Sequence, residues 1–71
     1  MKGSEDVMEG KWKQLRGRVK EAWGVLTDDE IDQIGGKRDR LVGLLQERLG
    51  YTRMQADREI DRLLDDLDRS A

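Results

Sequence analysis

The sequence predicts an all-α fold, a small single-domain bundle of about four short helices. Three observations carry that prediction. Apolar residues recur at spacings of three and four through most of the chain. Two capping boxes, together with paired or single glycines, mark where helices begin and end. There is no proline in 71 residues, although 42% of them are charged, so nothing forces a helix to break.

The first predicted helix covers residues 7–25. Gly3, Ser4, Glu5 and Asp6 precede it and suggest a frayed start over residues 1–7. Its apolar residues are Met8, Trp12, Leu15, Val19, Ala22, Trp23 and Leu26, which share one arc of about 100° on a helical wheel. Lys11 and Arg18 border the arc on one side; Lys13, Arg16 and Lys20 border it on the other. Gly10, Gly17 and Gly24 recur every seven residues on the opposite face. Two readings of them stand: tolerated solvent-facing glycines, or a smooth face where another backbone approaches. The first is preferred, because small-residue packing faces are chiefly a membrane device.

Thr27-Asp28-Asp29-Glu30 opens the second helix, residues 28–34, as a capping box. Leu26 and Ile31 stand where a hydrophobic staple would fix the entry angle, and the acidic run suits the positive end of the helix dipole. Ile31 and Ile34 face inward, and Gly35-Gly36 ends the helix. The third helix, residues 37–49, lines up Leu41, Leu44, Leu45, Arg48 and Leu49, with Val42 beside them and Gly50 as its terminator. Thr52 and Gln55 form a second capping box for the fourth helix, residues 53–67, with Tyr51 and Ala56 as a second staple. Its inward stripe is Ala56, Ile60, Leu63, Leu64 and Leu67, and residues 68–71 are expected to fray.

Composition narrows the function classes. A chain this short is one domain at most, read here as spanning residues 1–71, with a modest core. The absence of cysteine removes disulfides and thiolate metal sites. The absence of histidine removes the commonest metal ligand and the usual proton switch near neutral pH. No apolar run approaches the roughly 20 residues that span a bilayer, and MKGSEDVMEG lacks the apolar stretch of a signal peptide. A cytoplasmic protein without membrane insertion is the expectation.

Three stretches resemble chemical sites and fail on spacing. Asp28-x-Glu30-x-Asp32 imitates the start of a calcium loop, but Gln33 replaces the required glycine and Asp39 the bidentate glutamate. Asp57-x-Glu59-x-Asp61 fails likewise at Arg62. Gly35-Gly36-Lys37-Arg38 lacks both the strand and the spacing of a phosphate loop. No catalytic, metal-binding or cofactor-binding residue is assigned, and no enzyme is expected.

One binding surface remains. Lys11, Lys13, Arg16, Arg18 and Lys20 interleave with Trp12 and Trp23, a pattern that could supply phosphate contacts and base stacking. Residues 1–26 carry a net +2, residues 27–36 −4, residues 37–50 +2 and residues 51–71 −2. The total is −2 with pI ≈ 5.1, whereas nucleic-acid-binding domains usually exceed a pI of about 9. The tryptophans also lie on the apolar arc, which favours core duty over stacking.

With these residues in view, the chain resembles the CsbD-like family of small bacterial stress-response proteins. The resemblance rests on GKWKQLRGRVKEAWGVLTDDEID (Gly10–Asp32) and GKRDRLVGLLQERLGYTRMQADREID (Gly36–Asp61). It implies crossed helical hairpins, a cytoplasmic protein accumulated under stress, and no established enzymatic activity, cofactor or ligand. At the matching positions it implies Trp12, Leu15, Val19, Trp23, Leu26, Leu41, Leu45 and Tyr51 as core, with Thr27 and Gly50 as boundary residues. The acidic end, DRLLDDLDRSA, departs from the family pattern.

The leading expectation is therefore a non-enzymatic general stress-response protein, acting as an abundant helical module or macromolecular interaction domain. The alternative is a nucleic-acid-associated module using the basic flanks of the first helix. Either a protein partner or weak nucleic-acid association fits, in a monomer or weak oligomer.

Overall fold

A computed structural model describes residues 8–70. Four helices of seven or more residues follow one another: α1 (Trp12–Ala22), α2 (Asp28–Ile34), α3 (Arg38–Leu49) and α4 (Arg53–Ser70). The described residues contain no strand. Each helix packs on the next in the chain, and α4 returns to pack on α1, so the four enclose one core. The radius of gyration is 11.1 Å, close to the roughly 11 Å expected of a compact domain of this length.

The core draws on every element. Leu15 and Val19 come from α1, Ile31 and Ile34 from α2, Leu41, Val42 and Leu45 from α3, and Ala56, Ile60, Leu64 and Leu67 from α4. Trp23 and Leu26 add the α1–α2 connection, and Met8 the turn before α1. Trp12 and Tyr51, expected inside, sit half-buried at the rim with Leu44 and Leu63. Ala22 and Leu49, also placed on inward arcs by their spacing, are exposed.

The first helix differs most from the expectation of residues 7–25. It is interrupted at Lys11, whose φ −109° and ψ 10° leave the helical region, and residues 8–10 are helical on the other side of the break. The interruption lets Met8 enter the core while Glu9 lies across Gly36. At its other end α1 stops at Ala22. Trp23 leaves the helix (φ −131°, ψ 75°), its N–H still bonded to the Val19 carbonyl. Trp23 and Leu26, in the turn that follows, are both buried. Lys20 Nζ donates to the Leu26 carbonyl at 2.9 Å and ties the turn back.

The remaining boundaries follow local chemistry. The Thr27 hydroxyl accepts from the Glu30 N–H at 3.1 Å, and the Glu30 carboxylate accepts from the Thr27 N–H at 3.0 Å. Thr52 and Gln55 make the same reciprocal pair, both bonds at 3.0 Å. Gly35 ends α2 at φ 57° and Gly50 ends α3 at φ 70°, left-handed conformations that cost a side-chain-bearing residue free energy. The fourth helix continues to Ser70, past the expected end at Leu67. The expected fraying of residues 1–7 and Ala71 lies outside the described residues.

A methyl group built on Gly17 meets nothing within 4 Å. Gly17→Ala is therefore expected to raise the unfolding free energy by about 0.5–1 kcal/mol without promoting self-association. Urea denaturation and sedimentation check this; a marked loss of stability would show that the face is packed.

Candidate functional site

The basic residues that border α1 mark the surface to examine, and the structure sets acidic partners against most of them. Lys11, half-buried, pairs with Asp68 of α4, and Arg16 pairs with Asp32 of α2. Lys20 lies 3.6 Å from Asp28 while holding the Leu26 carbonyl. Lys13 is exposed and forms no ion pair among the described residues. Arg18 is half-buried on the same helix. Three of the five cations thus turn to carboxylates, Arg16 and Lys20 toward α2 and Lys11 toward α4.

The acidic triplets that imitate metal loops also become intelligible. Asp28, Glu30 and Asp32 turn to three different basic partners: Lys20, Arg48 and Arg16. Asp57 and Asp61, one helical turn apart on α4, both face Arg38, while Glu59 lies 3.9 Å from Arg62. Among the described residues, no group of three or more carboxylate side chains is placed to hold a metal ion.

Arg38 was not singled out by its spacing, yet it is the most enclosed charge in these pairs, its side chain 11% exposed. It sits in the first turn of α3, where a cation opposes the helix dipole and needs a partner. It finds that partner on α4. Nε donates to Asp57 Oδ1 at 3.2 Å, and Nη2 donates to the Asp57 carbonyl at 3.1 Å and to Asp61 Oδ1 at 2.8 Å. Nη1 is buried without a hydrogen-bond partner among the described residues. Burial works against the charge, but the hydrogen bonds it donates to Asp61 and Asp57, with their negative charge, outweigh it and raise the pKa above its ordinary value.

Glu30 joins two functions. It closes the capping box of α2, and it accepts from Arg48 Nε of α3 at 2.8 Å, with Arg48 Nη2 on the same oxygen. The Thr27 N–H and then Arg48 hold its carboxyl below the ordinary 4.5. Beside this pair an open groove runs between α2 and α3, lined by Gln33, Ile34, Arg40, Gly43, Leu44 and Glu47. Arg40 Nη1 crosses its end to the Gln33 carbonyl at 2.9 Å, satisfying one of the last carbonyls of α2. Met54 and Val25 are the most exposed large apolar side chains described.

The arrangement can fix the mutual orientation of the helices. Exposed pairs of this kind contribute about 0–1 kcal/mol each, so they select geometry more than they supply stability. No described helix is long and apolar enough to cross a membrane.

Sequence comparison adds an independent line. A family model described as CsbD-like matches residues 6–58. The UPF0337 protein YjbJ of Escherichia coli O6:H1 is 55% identical over 58 residues, covering 82% of this chain and 84% of that protein. A UPF0337 protein of Bordetella pertussis is 52% identical over 62 residues, covering 87% of this chain and 94% of that protein. YjbJ of Salmonella typhimurium is 53% identical over 57 residues, covering 80% and 81%. No solved structure matches the chain.

Two outcomes are expected. Arg38→Ala should cost about 1.5–3 kcal/mol in urea unfolding, since it strips charged hydrogen bonds from a sheltered site, whereas Arg62→Ala should stay within about 0.5 kcal/mol. Glu30, with its folded pKa depressed, contributes stability that is complete above the ordinary 4.5 and is lost as pH falls through the lower folded value. Glu30→Gln should therefore unfold with a shallower dependence on pH just below the ordinary 4.5, down to the folded value, which acid-range urea titrations would read.

Proposed function

The chain belongs to the CsbD-like family, and from that premise we propose a non-enzymatic general stress-response protein. In this reading it is an abundant cytoplasmic module acting through its surface or by contacting another macromolecule. The stress assignment rests on family membership. The supporting observation in the structure is the commitment of charge to partners within the chain: Lys11, Arg16, Lys20, Arg38 and Arg48 each meet a carboxylate on another helix or, for Lys20, at the start of α2. A surface of interspersed, mutually paired charges keeps a concentrated protein soluble without a large field of one sign.

The second reading, a nucleic-acid-associated module, draws on Lys13, which is exposed on α1 beside the other cations. Phosphate contact by Lys11, Arg16 or Lys20 would exchange an existing carboxylate for a phosphate. Such an exchange removes much of the counterion-release advantage that drives nucleic-acid binding.

A titration with mixed-sequence DNA and RNA at about 50 and about 200 mM salt separates the two. The proposal expects no saturable change in tryptophan fluorescence or anisotropy at either salt, and the same null result for Lys13→Glu. Saturable binding that weakens steeply with salt and with Lys13→Glu would replace it with the second reading.

A further inference from the structure

Gly43 lies within α3 at an ordinary helical conformation; the described glycines of positive φ are Gly35, Gly36 and Gly50. A methyl group on it meets nothing within 4 Å, and a mid-helix glycine weakens a helix relative to alanine, so the folded chain itself does not call for one there. Gly17 is open in the same way, but the residues three and four positions from it on α1, namely Lys13, Gln14, Lys20 and Glu21, are all polar. Gly43 instead stands beside the half-buried Leu44, on the groove that the buried Ile34 of α2 also lines. Arg40 and Glu47 flank this pair. Arg40, Gly43, Leu44 and Glu47 share one arc of α3, about 100° wide. Both charges are exposed, and neither takes part in an ion pair among the described residues. Arg40 gives Nη1 to the Gln33 carbonyl, and its guanidinium has further N–H groups to donate.

This stripe is its own complement. Two copies of α3 laid antiparallel about a two-fold axis set Arg40 of each against Glu47 of the other, and Gly43 of each against Leu44 of the other. We propose that a second copy of this chain docks on the groove between α2 and α3, forming a symmetric dimer through antiparallel α3 helices. Leu44 of each copy enters the space over Gly43 of the other, where the absent side chain lets the axes approach toward the short end of the roughly 8–10 Å range for packed helices. The two Arg40–Glu47 pairs close the ends of the contact and set its register; a parallel pairing would place like charges together. One helix face and the groove beside it fall below the roughly 1,200 Å² of a standard interface, so the dimer is weak and concentration-dependent, with a Kd of about 20–500 µM.

Sedimentation equilibrium tests this on the unaltered chain. Between about 10 µM and about 1 mM the mass should rise from 8.2 kDa toward twice that value. Arg40→Glu sets carboxylate against carboxylate and Glu47→Arg sets cation against cation, so each alone should weaken association at least about tenfold. An equimolar mixture of the two variants should recover it, because each then supplies the charges that the other lacks. Gly43→Gln fills the space over the glycine. It should weaken association at least about tenfold as well, while the dilute chain unfolds at the same or a higher urea concentration. A single species of 8.2 kDa up to about 1 mM would overturn the proposal. So would association that charge reversal leaves unchanged, or variants that stay monomeric when mixed. If Arg40→Glu fails to fold, Glu47→Arg and Gly43→Gln decide by the same criterion.

Discussion

At Gly36 three parts of the chain occupy almost the same space. The end of α2, the start of α3 and the turn before α1 converge there, with Glu9 and Trp12 against the glycine and Lys37 paired to Glu9. The backbone at this point has φ +86°, and neither the conformation nor the space admits a side chain without rearrangement. The chain passes from α2 to α3 through this joint. Glu9, from the turn before α1, crosses the same point.

The helices joined there depend on one another. At 7 to 18 residues, most are shorter than helices that persist alone in water, and their shared apolar core supplies what propensity does not. Charge then refines the arrangement. Arg38 locks α3 to α4 through two carboxylates and a carbonyl, Arg48 and Glu30 link α3 to α2, and Lys11 and Arg16 hold α1 to α4 and α2. A chain with so many charges and so small a core uses them for orientation. This use limits how many of the same side chains remain open to a partner.

The sequence made the helix count, the two capping boxes and the glycine terminators legible, because each is encoded within three or four residues. It did not reveal the break at Lys11 or the early end at Ala22. The local pattern through both is helical, and only the packing of Met8 and Trp23 into a distant core bends the chain. Helical spacing also placed Trp12 inside, and the family resemblance Tyr51, but both lie at the ends of elements where the core gives way to solvent. The cationic row of α1 was visible as a row; its partners, 8 to 57 positions away, were not. Arg38 did leave a signal, since a cation in the first turn of a helix runs against the dipole and calls for a carboxylate elsewhere.

The most direct measurement compares the unfolding free energies of Gly36→Ala and Gly43→Ala in urea. Gly43 lies within α3, and a methyl group there meets nothing within 4 Å. If the joint at Gly36 governs the fold, Gly36→Ala loses about 1–3 kcal/mol or more. Gly43→Ala, as an ordinary helical substitution, gains about 0.5–1 kcal/mol. Equal effects of the two substitutions, or a gain from both, would contradict the account, because the chain would then tolerate a side chain where three of its elements meet.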